Sequence, residues 1–271
     1  MPDWFRRARE AVPEGAFTKC ATCGAILYVK DFEADLKVCA KCGHHHRLTA
    51  DERVAITVDE GSWVEFDAET LHSEDFLGFP GYAEKLALFE GSGRTDGLVT
   101  GTATVGSLPC VLAISDFDAA RLAGTMGSVF GEKFVRAADR AIADKTALIT
   151  FCASGGARMQ EGLTSLMQMA KTSLAVAQLA EAKVPYLVVF THPSTGGAVA
   201  SYASLGDAIF SEPGATIGLS GERVSAQAQA QKPPANFRTA EFALEHGMID
   251  KIVARRDLAS TLARTLAFFA A

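Results

Sequence analysis

Two sets of residues in this chain have the types and spacing that chemistry needs. The first is four cysteines, set as Cys20-x2-Cys23 and Cys39-x2-Cys42 with fifteen residues between the pairs. A glycine, Gly24 or Gly43, follows the second cysteine of each pair. Two such knuckles offer four thiolates to a tetrahedral Zn2+. The segment 18–48 is too short to bury a core of its own. Metal binding would then supply its folding free energy, on the order of 10 kcal/mol. Four sulfur ligands leave no open position, so the metal is expected to be structural rather than catalytic. His44, His45 and His46 are expected to lie solvated beside it. A redox role is disfavoured, because neither pair opens a helix after a strand.

The second set is two glycine pairs, Gly155-Gly156 and Gly196-Gly197. Each follows an apolar run long enough for a buried strand, 146–152 and 186–191, and each precedes a helical pattern. Glycine reaches backbone conformations closed to other residues and carries no Cβ to hold a ligand away. Helix N-termini add unpaired N–H groups and partial positive charge. Two readings follow: tight strand-to-helix turns, or main-chain donors aimed at a negative oxygen. An enolate or tetrahedral oxyanion formed on a thioester is the chemistry such donors serve.

The elements that must position these turns can be read in order. Residues 1–17 are an amphipathic lead-in closed by Pro13, the zinc ribbon occupies 18–48, and the main domain is expected over 49–271. Thr49 before Ala50-Asp51-Glu52 is an N-cap pattern. Phe76 to Tyr82 is a turn cluster with exposed aromatics, a candidate docking surface. Runs 99–105 and 108–114 around Gly106-Ser107 predict a hairpin. The next helix carries Phe130, Phe134, Ala137, Ala138 and Ala141 on one face, with Lys133, Arg136 and Arg140 toward the other. After the first glycine pair, Leu163, Leu166, Met167, Ala170, Leu174 and Ala177 fall on one helical stripe, predicted to be buried. Strands are expected at 207–211, 215–219 and 249–253. A short helix ends at Gly247, and a last helix covers 257–270.

Composition narrows the class. With 271 residues and 48% hydrophobic content the chain can bury a full α/β core. A net charge of −6 gives no global nucleic-acid signature, although the first fifty residues hold eight Lys/Arg against six Asp/Glu. No apolar run reaches membrane-span length, and the N-terminus lacks the apolar stretch of a secretory signal. A cytoplasmic protein is expected. Cys110 and Cys152 lie in strand patterns and are expected to be buried thiols. There is no Gly-x-Ser-x-Gly elbow, no phosphate loop and no dinucleotide fingerprint. His192, beside Pro193 and the second glycine pair, is expected to be structural or solvated rather than catalytic.

The cysteine spacing, Gly124-Thr125-Met126-Gly127-Ser128-Val129, Ser154-Gly155-Gly156-Ala157-Arg158-Met159-Gln160-Glu161 and Pro193-Ser194-Thr195-Gly196-Gly197 together resemble the carboxyltransferase β subunit of bacterial acetyl-CoA carboxylase, over residues 14–256. The resemblance implies a crotonase-like fold of repeated ββα units behind a zinc ribbon. It implies assembly with an α subunit into an α2β2 complex. The implied reaction moves a carboxyl group from carboxybiotin, borne by a biotin carboxyl carrier protein, to acetyl-CoA, giving malonyl-CoA for fatty acid synthesis. In that family the pair matching Gly196 and Gly197 forms an oxyanion hole, and the α subunit supplies another. A biotin enolate takes the methyl proton, so no protein base is required. By the same resemblance, Gly155, Gly156 and Arg158 belong to the substrate-binding wall, Cys20, Cys23, Cys39 and Cys42 bind zinc, and the ribbon is a proposed nucleic-acid contact. Two segments depart from the family pattern. Ala119 to Gly127 has Arg121 for a bulky apolar residue and Ala123 for a glycine, and Gly221 to Ala228 has lost an Ile and a Thr. They leave room for a paralogue that carboxylates or decarboxylates another acyl thioester, or for a zinc-ribbon binding protein whose body is only a scaffold.

Overall fold

The computed structural model describes residues 15–90, 94–119, 122–219, 234 and 236–270. The expectations placed on the lead-in before residue 15, on Ala120 and Arg121, and on 221–228 fall outside these residues. The chain divides into two compact units after His46.

In the first unit, β1 (Phe17–Lys19) pairs antiparallel with β2 (Ile26–Tyr28), and a single-turn-and-a-half helix, α1 (Val29–Ala34), follows. Phe17 sits opposite Tyr28, with ring centroids 5.6 Å apart. So small a hairpin has almost no apolar interior, which is why its order depends on the cysteines.

The second unit opens with α2 (Ala50–Thr57), capped as predicted: Thr49 and Glu52 form a reciprocal capping box. Then come β3 (Val64–Phe66), α3 (Tyr82–Glu90), β4 (Leu98–Val105), β5 (Leu108–Ser115), α4 (Ser128–Asp144), β6 (Ala147–Ser154), α5 (Leu163–Glu181), β7 (Tyr186–Thr195), β8 (Ala208–Ser211), β9 (Ile217–Gly218), α6 (Ala240–Glu245), β10 (Lys251–Ile252) and α7 (Arg255–Ala270). The sheet order is β10-β8-β7-β6-β5-β4-β3, with β9 alongside the end of β7. Strands β3, β4 and β5 pair antiparallel, and the predicted hairpin is the β4–β5 pair. From β5 through β8 to β10 the pairing is parallel.

Alternation along the central strands splits the core in two. Val111, Ala113, Leu148, Val188 and Phe190 face the layer of α4, while Leu112, Ile114, Ile149, Leu187 and Val189 face α7. All eight residues of β6 are buried, as a strand covered on both faces requires. On the α7 side, Glu212 at the end of β8 lies between Arg255 (two contacts of 2.8 Å) and Arg53 (2.8 Å). Burial alone would raise the Glu212 pKa, but Arg53 and Arg255 outweigh it and hold it at about 2.

Three expectations are corrected. Lys133 is not on the open face of α4: it is 2% exposed, and its Nζ donates to the Leu98 carbonyl at 3.3 Å. Burial lowers its pKa against the pull of Asp96. The apolar stripe of α5 is exposed, with Leu163 71% and Leu174 61% accessible. The buried face of that helix is instead Ser165, Gln168, Thr172, Ala175, Val176 and Leu179. Close approach to α4 is the reason: a Cβ on Gly131 would lie 2.1 Å from Gln168 Oε1. Gln168 Nε2 and Thr172 Oγ1 bond back to carbonyls of their own helix, so burial does not leave those donors unpaired. Finally, no α-helix opens at Gly197. The chain turns through 196–201 and makes a 3-10 turn at Tyr202–Ser204.

Candidate active site and metal centre

The four cysteines of the first unit meet. Their Sγ atoms all lie within 4.8 Å of one another, with Cys20–Cys42 and Cys23–Cys39 each at 3.8 Å. A tetrahedral shell with Zn–S of about 2.3 Å has edges of about 3.8 Å, and a disulfide would need about 2.05 Å. The set therefore fits zinc. The two knuckles are built alike. Gly24 N donates to Cys20 O at 2.9 Å and Gly43 N to Cys39 O at 2.8 Å, and both glycines have φ of +71°. The Cys23 amide is the main cause that brings the Cys20 thiol down to about 6. At Cys42 the His44 amide lowers the pKa, but burial and the neighbouring sulfurs outweigh it and raise it to about 12. Four thiolates cannot ionise together without a cation among them. His45 is buried, not solvated: its Nδ1 lies 3.0 Å from Gly43 O. His46 sits edge-on to Phe32.

In the second unit the two glycine turns touch backbone to backbone. A Cβ on Gly156 would lie 3.1 Å from Gly197 N, and one on Gly196 would lie 2.9 Å from Gly156 Cα. Their φ values, +110° and +68°, belong to the region that favours glycine. The approach is held by hydroxyls that bridge a register break between β6 and β7. Thr191 Oγ1 and Ser194 Oγ donate to Cys152 O at 2.9 and 2.7 Å, and Thr195 Oγ1 donates to Ser154 O at 3.1 Å. On the other side, Met126 N donates to Gly156 O and Arg158 N to Met126 O, so the 124–127 loop grips the first turn like a short parallel strand. His192 accepts from Thr216 N at 3.4 Å, a structural contact.

Most of the amides in these turns are committed. Gly155 N donates to Ala123 O (2.8 Å), Gly156 N to Ser154 Oγ (3.1 Å) and Gly196 N to Gly218 O (2.8 Å). The last of these continues the β7–β9 ladder, a pairing that glycine spacing could not reveal. Gly197 N and Ala157 N have no acceptor among the described residues. They are neighbours, because a Cβ on Gly197 would be 3.3 Å from Ala157 N. Neither amide opens an α-helix: α5 starts at Leu163, after a 3-10 turn at Met159–Glu161.

Arg158, expected in the substrate-binding wall, is held by an ion-pair network. It is 1% exposed, with Nη1 2.8 Å from Asp96 and 3.2 Å from Glu161, and Nη2 donating to Thr125 O at 2.8 Å. Burial works against its charge, but Asp96 outweighs this and raises the pKa above the ordinary arginine value. Glu161 also accepts from Tyr82 Oη (2.6 Å) and from Ser128 N (2.6 Å), where it caps α4. Burial pushes the Tyr82 hydroxyl up to about 12. Arg158 thus ties four segments into the wall behind the glycine turns. Sequence spacing gave no sign of Asp96 or Tyr82 as its partners.

Residues 44–236 match the model of the carboxyl transferase domain, and residues 17–42 match that of the acetyl-CoA carboxylase zinc finger domain. The fold and paired glycine turns define a crotonase-like carboxyltransferase with a four-cysteine zinc ribbon. The transcarboxylase 12S structure with hydrolysed methylmalonyl-coenzyme A bound is similar, with a TM-score of 0.70 and 26% identity over 88% of this chain. This chain spans 42% of that one. A Pseudomonas malonate decarboxylase hetero-tetramer in complex with malonate shares the fold, with a TM-score of 0.64 and 24% identity over 82% of each chain. The acetyl-coenzyme A carboxylase carboxyl transferase subunit beta of Desulforamulus reducens is 48% identical over 95% of this chain and 89% of its own length. That of Methylacidiphilum infernorum is 47% identical over 95% and 93%. The chain belongs to the family of acetyl-CoA carboxylase carboxyltransferase β subunits.

Proposed function

We propose that this β subunit holds the acyl-thioester side of the transfer that makes malonyl-CoA from acetyl-CoA, and that the N–H groups of Gly197 and Ala157 bind the thioester oxygen. One observation carries the assignment of donors. These two adjacent amides lack an acceptor among the described residues, while Gly155, Gly156 and Gly196 spend theirs inside the protein. Removing a proton from the methyl carbon of an acyl thioester moves charge onto its oxygen. Two preset donors stabilise that oxygen, each by about 3 kcal/mol. Gly155, Gly156 and Gly196 serve by letting the two turns close on each other, and Arg158 holds the wall behind them. Carboxybiotin on the biotin carboxyl carrier protein supplies the carboxyl group. The α subunit, in an α2β2 complex, contributes the other half of the site. Cys20, Cys23, Cys39 and Cys42 hold the zinc, whose closed sulfur shell keeps it structural.

Identity of 48% to β subunits, against 24% to a malonate decarboxylase, favours carboxylation of acetyl-CoA over decarboxylation of another thioester. The test is malonyl-CoA formation by the chain with its α subunit and carboxylated carrier. A Cβ at position 197 would meet Met169 Sδ at 3.1 Å as well as the Ala157 amide. Gly197→Val should lower kcat at least 100-fold and leave zinc content intact. Full activity in that variant would remove Gly197 from the donor set. Biotin-independent turnover of malonyl-CoA by the wild type would support the decarboxylase reading instead.

A further inference from the structure

We propose that Arg158 is a positioning residue: its side chain sets the direction in which the Ala157 N–H points. The inference rests on the reading above that this amide binds the thioester oxygen. In a planar trans peptide the C=O and the N–H point opposite ways, so an amide is aimed through the carbonyl of its own peptide. The Ala157 N–H shares its peptide with the Gly156 carbonyl, and that carbonyl accepts from Met126 N at 2.8 Å. Ala157 stands opposite Met126 in a parallel bridge, and Arg158 N returns a bond to Met126 O at 3.0 Å. The Ala157 N–H is thereby turned away from Met126 and left unspent among the described residues.

The other donor is aimed differently. Gly197 N shares its peptide with Gly196 O, which accepts from Ala200 N at 3.1 Å within the same turn. Gly197 depends on a local loop, whereas Ala157 depends on Met126, far earlier in the chain. What fixes Met126 is Arg158 itself. Its Nη2 donates to Thr125 O at 2.8 Å and its Nε to Thr125 Oγ1 at 3.4 Å, while Thr125 Oγ1 donates to Leu122 O at 2.6 Å. The main chain and the side chain of one residue thus hold two consecutive residues of the loop. Nη1 is meanwhile anchored by Asp96 at 2.8 Å and Glu161 at 3.2 Å. Gly127 leaves room for this anchor, since a Cβ there would lie 2.7 Å from Nη1. A planar guanidinium reaches the carboxylates and the Thr125 carbonyl together. A lysine ammonium is a point charge and keeps one or the other.

The test uses the full chain assembled with its α subunit and compares the wild type with Arg158→Lys. Malonyl-CoA formation should show kcat lowered about 10-fold, short of the ~100-fold that loss of a whole donor costs, with KM for acetyl-CoA changed less than about 2-fold. The second readout is the carbonyl stretch of isotope-labelled acetyl-CoA, bound without carboxylated carrier and measured by difference infrared. Binding to the wild type should shift it to lower frequency, and Arg158→Lys should lose about half of that shift, one donor of two. Asp96→Asn, an isosteric change that frees Nη1, should move both readouts the same way by a smaller amount and decides the matter if the lysine variant does not fold. A raised KM with kcat kept would overturn the proposal, because the guanidinium would then contact substrate. So would a lowered kcat with the carbonyl shift intact, the mark of a merely structural role, and so would wild-type values throughout. Absence of any carbonyl shift in the wild type is a separate outcome, which removes the reading of Ala157 and Gly197 as donors.

Discussion

Helices α4 and α5 lie side by side on one face of the sheet and bury different chemistry. In α4 the buried side is Phe130, Phe134 and a run of alanines, with Lys133 the one charged exception. In α5 the buried side mixes Ser165, Gln168 and Thr172 with Ala175, Val176 and Leu179, while Leu163, Leu166, Met167 and Leu174 face out. Periodicity identifies a helix and its apolar stripe, but it does not say whether that stripe faces the protein's own core or another molecule. The contrast teaches that a helix whose apolar stripe lies on the outside can read like a core helix. What distinguishes it is the closeness of its neighbour, here fixed by Gly131.

The largest effect expected from this contrast is a pair of truncations. Phe134→Ala should cost about 3–5 kcal/mol in chemical denaturation, because it leaves a cavity in the main core. Leu174→Ala, in the neighbouring helix, should change the stability of the isolated chain by less than about 0.5 kcal/mol. Equal losses would mean that α5 is buried in solution. Of intermediate size is Gly131→Ala. Helix propensity favours alanine by about 1 kcal/mol, but the new methyl would meet Gln168 out to its Cβ at 3.0 Å. Overpacking costs about 1–3 kcal/mol, so a net loss of about 1 kcal/mol is expected, and a gain would show the helix pair to be looser than described.

The smallest effect is electrostatic. Glu132 of α4 pairs with Lys171 of α5 and with Arg136, and the Lys171 hydrogen bond is the main cause of its lowered pKa. A carboxylate whose pKa is lowered on folding contributes stability above its unfolded value near 4.5, and that stability is lost as pH falls through the folded value. Both side chains are more than a third exposed, so the contribution is discounted to a few tenths of a kcal/mol. Comparing the wild type with Glu132→Gln between pH 6 and pH 3 should show the difference closing at the acid end. A difference that widened there would reverse the assignment.

Much of the rest was legible. The cysteine knuckles, the Thr49–Glu52 cap, the hairpin at Gly106 and the helix stop at Gly247 are local patterns, written within a few residues. The partners of Arg158 were not, because Asp96 lies 62 positions away in sequence and only folding brings it near. Nor was the loss of the Gly196 amide, which depends on β9 pairing with β7. Ala123, where the family pattern has glycine, adopts φ of +54°, so the departure visible in sequence falls where L residues are strained. The donor pair itself was half visible: Gly197 stood in a marked motif, while Ala157 carries no signature of its own.

Because Gly156 and Gly196 meet without side chains, the groups assigned to the chemistry belong to the main chain. No codon spells out an amide, and only a change to proline deletes one. Side chains around the turns can therefore change without removing the amides themselves. Selection on this enzyme would then be felt mostly as a demand for emptiness, at the few positions where any methyl group would push the two loops apart.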